Sequence, residues 1–116
     1  MTTEELARAS LEALSLLSHV ASVQPWEELR RVEGDEVLKQ SIERAVRTWL
    51  DVLQRVRHGS NPQAVPRPAD AESALQHMRV LLPSLAMDDV QAVAALRTYA
   101  RQSLEALGFP LRESAD

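Results

Sequence analysis

Residues 35–58 read DEVLKQSIERAVRTWLDVLQRVRH, and this stretch decides the fold. Leu38, Ile42, Ala45, Trp49, Val52 and Val56 recur at helical spacing, with Val46, Leu50 and Leu53 beside them. Apolar residues three and four apart stack on one side of a helix, whereas a strand would need strict alternation. Asp35 has the chemistry of an N-cap and Gly59 that of a stop, so the sequence predicts one long amphipathic helix over 35–58.

Upstream, Thr2 and Glu5 fit a capping box, and the run to Val23 contains neither Gly nor Pro. Leu6, Ala9, Ala13, Leu17 and Val20 form its stripe, which Leu11, Leu14 and Leu16 widen. A short helix is expected next, with Pro25 at its first position, Gly34 as its stop, and Trp26, Leu29 and Val32 on its inner face. Downstream, residues 59–69 hold three prolines and a glycine and predict a long surface loop. Asp70 is the expected cap of a helix carrying Leu75, Met78, Leu81 and Leu82, which Pro83 ends or kinks. Met87, Asp88 and Asp89 open a final helix with Val90, Val93, Leu96, Ala100, Leu104 and Leu107 inward, closed by Gly108 and Pro110.

No stretch alternates as a strand does. The expectation is an all-α protein, an antiparallel four-helix bundle with one extra short helix. One helical domain over 1–108, including the loop at 59–69, would be followed by a frayed tail over 109–116.

Composition narrows the chemistry. The chain has 116 residues and no cysteine, which excludes disulfides, thiol nucleophiles and Cys-ligated metals. Twelve of the thirteen basic residues are arginine, Lys39 being the exception. A bias spread along the whole chain reads as the codon usage of a GC-rich bacterial genome. No apolar run approaches the ~18 residues of a membrane span, and no basic segment followed by an apolar run marks a leader, so a cytoplasmic protein is expected.

Catalytic constellations are hard to find. His19, His58 and His77 lie on three separate segments without a second ligand on the same helix face, so neither a metal nor another cofactor is expected. Three glycines far apart cannot cradle a phosphate. Gly59-Ser60 reads as an ordinary loop rather than a nucleophile turn.

Charge is polarised. Residues 1–38 carry a net charge of -5, residues 39–67 of +4, and residues 68–116 of -3, within a formal total of -4. Cations near a helix C-terminus are favoured by its dipole, but the same segment could dock an acidic protein or a phosphate. A nucleic-acid reader normally has a basic domain and stacking aromatics, and this chain is acidic with one Tyr and one Phe, which argues against nucleic acid. Glu43, Arg47 and Asp51 at i,i+4 spacing predict an ion-pair ladder.

The function expected from these features is a non-enzymatic protein–protein interaction module, a small adaptor, chaperone or regulator. Its surplus apolar helix face, suggested by Leu16, Leu50, Leu81 and Leu85, would be buried against another protein or a second copy of itself. Arg55, Arg57, His58, Arg67 and Trp26 are the candidate partner-binding residues; Trp49 lies on the core line. Two alternatives remain at this level. One is a helical toxin-type nuclease acting through Arg55, Arg57 and His58 with Arg67. The other is an acidic immunity or inhibitor protein using Glu4, Glu5, Glu27, Glu28 and Glu33.

Overall fold

Five α-helices follow one another in the computed structural model, which describes residues 3–58 and 65–109; of Thr3, Arg57 and His58 it describes the backbone alone. They are α1 (Thr3–Val20), α2 (Val23–Glu33), α3 (Asp35–His58), α4 (Pro68–Leu81) and α5 (Val90–Leu107), with a 3₁₀ turn at Leu82–Ser84. The protein is all-α, and no strand occurs among the described residues.

The packing follows the apolar stripes. α1 lies on α3, α3 on α4, α4 on α5, and α5 returns to α1, while the short α2 leans on α1 and α3. The buried side chains form one continuous cluster in which Leu17, Leu38, Ile42, Leu75, Leu96 and Leu104 have no exposed surface. Each such aliphatic side chain contributes roughly 1.5–3 kcal/mol of transfer free energy on full burial. Ser103 is the one buried polar residue among those described, and its hydroxyl donates to the Ala100 carbonyl at 2.7 Å.

The helix ends depart from the sequence reading in informative ways. α1 stops at Val20 rather than Val23; the Ala21 amide still donates to Leu17, and Ser22 occupies the N-cap position of α2. Pro25 is thereby the third residue of α2 rather than its first, but still within the first turn, where no backbone donor is lost to the helix. Thr2 lies outside the described residues, as do 59–64 of the expected loop and 110–116 of the expected tail. Asp35 is not a cap. The Gly34 carbonyl accepts the first bond of α3, from Leu38, and Asp35 becomes the first helical residue with its carboxylate held by Arg30.

The fourth helix begins three residues earlier than expected, its N-cap being Arg67 instead of Asp70. Pro68 takes its first position, where the missing N–H and fixed φ suit a helix start, and Arg67 precedes it as N-cap. Asp70 falls in the first turn, 3.8 Å from the Arg67 guanidinium. The predicted loop therefore ends at Arg67, whose amide donates to Ala106, while Val65 is buried against the core. Asp89 caps α5 as expected, accepting from the amides of Gln91 and Ala92. The ladder on α3 is half as predicted: Arg47 pairs with Glu43 at 2.9 Å, but Asp51 pairs with Arg55 at 3.4 Å instead of Arg47.

Candidate functional site

Three of the five candidate residues can be placed by their side chains. Arg55 is exposed on α3 and held by Asp51. Arg67 bridges Asp70 and Glu105, the latter at 3.4 Å, and so ties the start of α4 to the end of α5. Trp26 is only 3% exposed and belongs to the core rather than to a docking face. The side chains of Arg57 and His58 lie outside the described residues. Arg55 and Arg67 thus each satisfy carboxylates of their own surroundings.

The expected surplus face is mostly used up within the chain. Leu85 is buried, and Leu16, Leu50 and Leu81 pack half-buried against the core. The large apolar side chains left outside are others. Val32 is 72% exposed and Val90 81%, both contrary to their predicted inner positions, and Val80 is 77% exposed, with Leu11, Val23, Val37 and Phe109 at half or more.

Two surfaces stand out. The first is the groove between α4 and α5, where the rings of His77 and Tyr99 stack at 4.9 Å with an interplanar angle of 16°. His77 Nδ1 donates to the Ser73 carbonyl at 2.7 Å, which fixes the ring on its own helix. On one side of the stack lies a hollow lined by Arg67, Asp70, Gln102 and Glu105; on the other, an open apolar hollow of about 530 Å³ reaches Val80, Leu81 and Ser84. No periodicity argument picks out this pair, because each residue lies on the solvent-facing flank of its helix.

The second surface is the end of the bundle where the α2–α3 turn meets the connection from α4 to α5. Lys39 Nζ donates to the Leu85 carbonyl at 3.1 Å, which ties the two segments together, and Asp88 is close enough to Arg30 to favour its charge. Arg30 Nε donates to Asp35 at 2.8 Å across Gly34. That hydrogen bond holds the Asp35 carboxyl below the ordinary aspartate range and raises the Arg30 guanidinium further. Arg31 is paired with Glu28.

Beside it, Arg101 Nε donates to the carbonyl of Ala21 at 2.9 Å, at the C-terminal end of α1 where a cation complements the helix dipole. Arg97, four residues earlier on α5, has a buried Nε with no hydrogen-bond partner among the described residues. Burial first, and the neighbouring Arg101 second, push its guanidinium below the ordinary arginine range, while Glu27 acts in the opposite direction.

Among the described residues no group of three or more His, Asp and Glu side chains could hold a metal ion, and no helix is long and apolar enough to cross a membrane. Comparison of the chain with protein-family models, curated proteins and solved structures finds no match. The functional reading therefore rests on these surfaces.

Proposed function

We propose that this chain is a non-enzymatic protein–protein interaction module that binds another protein or a second copy of itself. One observation carries the reading: a core that closes within the chain still leaves large aliphatic side chains outside, with Val32, Val80 and Val90 each more than 70% exposed. They lie on α2, α4 and α5, and a partner that covers them removes from water aliphatic surface that the chain's own core leaves outside. The polarised charge supports the same reading, since opposed patches of one sign steer and orient protein encounters. Of the residues on which the nuclease alternative rests, Arg55 and Arg67 are each engaged by carboxylates, and the side chains of Arg57 and His58 lie outside the described residues.

The test is light scattering of the purified full chain, combined with affinity capture from its own cells. The reading predicts either a dimer or one partner retained in stoichiometric amount. A strict monomer that retains nothing stoichiometric contradicts it.

A further inference from the structure

Trp49 and Ser10 pin the middles of α3 and α1 together, and beside that contact the two helices leave an open surface hollow of about 180 Å³. Ala13 and Ala45 are buried at its floor, and Leu16, one of the leucines that look surplus in the sequence, lines it half-buried. Glu12 stands on the α1 wall and Arg44 on the α3 wall. Both are exposed, and neither side chain has a hydrogen-bond or ion-pair partner among the described residues. Other cations of α3 differ in this respect, since Arg47 is held by Glu43 and Arg55 by Asp51. The two walls also belong to helix segments of opposite charge. α1 carries three carboxylates against one arginine, whereas α3 from Lys39 onward carries five cations against two carboxylates.

We propose that this hollow is the centre of a two-fold interface between two copies of this chain. The proposal rests on the interaction-module reading and names the occupant as a second copy. A two-fold axis running along the hollow lays α1 of each copy over α3 of the other. Glu12 of each copy then meets the partner's Arg44, so one contact occurs twice, as a closed isologous interface requires. Charge decides between occupants. A purely cationic segment is opposed by Arg44, and an acidic segment or a nucleic acid by Glu12 and the rest of α1. A second copy carries both signs in the matching places, because the symmetry supplies them. The small floor supports the same arrangement, since alanines let a neighbouring helix approach closely, and Leu16 is withdrawn from water as it does so.

The test uses the full chain and two charge reversals, Glu12→Arg and Arg44→Glu, followed by sedimentation velocity over a range of concentrations. The parent dimerises, and more weakly as salt rises, because exposed charges are screened within about 10 Å at 0.1 M. Each variant alone sets like charges against each other at both contacts and dimerises about tenfold more weakly. An equimolar mixture of the two variants recovers the parent's affinity, because opposite charges again meet across the axis. Ala9→Leu, which fills the hollow, weakens the dimer about tenfold as well, and mixing does not rescue it. Both reversed positions are exposed, and circular dichroism checks that each variant keeps the parent's helicity.

A parent dimer that ignores both charge reversals overturns the proposal, as does a mixture of weakened variants that stays dissociated; either result keeps the interaction-module reading. A monomeric parent that retains a stoichiometric partner from its own cells also removes the two-fold interface and keeps that reading. A monomer that retains none removes both.

Discussion

Trp49 donates its indole Nε1–H to the carbonyl oxygen of Ser10 over 3.1 Å, joining the middle of α3 to the middle of α1. The ring itself is 8% exposed, so one side chain provides both apolar packing and a specific register between two helices. Trp49→Phe keeps most of the ring and loses the donor, and should cost about 1–2 kcal/mol; Trp49→Ala should cost about 3–5 kcal/mol. Urea unfolding with an unchanged slope would show the midpoint falling in that order.

The Arg30–Asp35 bridge across Gly34 makes a pH-dependent contribution. Its hydrogen bond lowers the folded-state pKa of Asp35, so the bridge stabilises fully above the unfolded aspartate value and is lost as pH falls through the lowered one. Both groups are solvent-exposed, which keeps the effect small. Melting temperatures of the parent and of Asp35→Asn, recorded at falling pH, should differ from neutrality down to about pH 4 and converge only as pH falls further, through the lowered value.

Gly108 ends α5 with φ of 94° and ψ of 16°, and its amide donates to Glu105 while that of Phe109 donates to Leu104. This is the Schellman arrangement, which needs a left-handed residue at the stop. A Cβ at this position would also lie 3.2 Å from the Pro66 ring. Gly108→Ala should lower stability by about 1–2 kcal/mol in thermal unfolding, from the backbone alone, with the Pro66 contact adding to it.

Arg97 offers the opposite sign. Its buried Nε has no acceptor among the described residues, and an unsatisfied buried donor costs about 1–3 kcal/mol. Arg97→Met keeps the aliphatic stem and removes both the orphaned donor and the repulsion from Arg101. Its unfolding midpoint should equal or exceed that of the parent; a clear drop would show that the guanidinium makes a stabilising contact.

The long helices were legible because their stripes run over several turns, and α3 and α5 occur where their spacing places them. Short elements carry less information. In α2 only Trp26 is buried while Val32 points to solvent, because two or three turns of spacing do not say which flank a neighbour covers. Capping residues misled where two acceptors compete: Asp35 satisfies Arg30, leaving the Gly34 carbonyl to start α3. Leu85 looked surplus because it falls outside a helix; the extended backbone after the Pro83 turn carries it into the core. The His77–Tyr99 stack was invisible for a simpler reason. Its rings come from α4 and α5, and only the fold brings them to one place.

Light scattering of the purified full chain, combined with affinity capture from its own cells, tests the central claim most directly. A dimer, or one partner retained in stoichiometric amount, is the predicted result. A strict monomer that retains no partner in stoichiometric amount would contradict it.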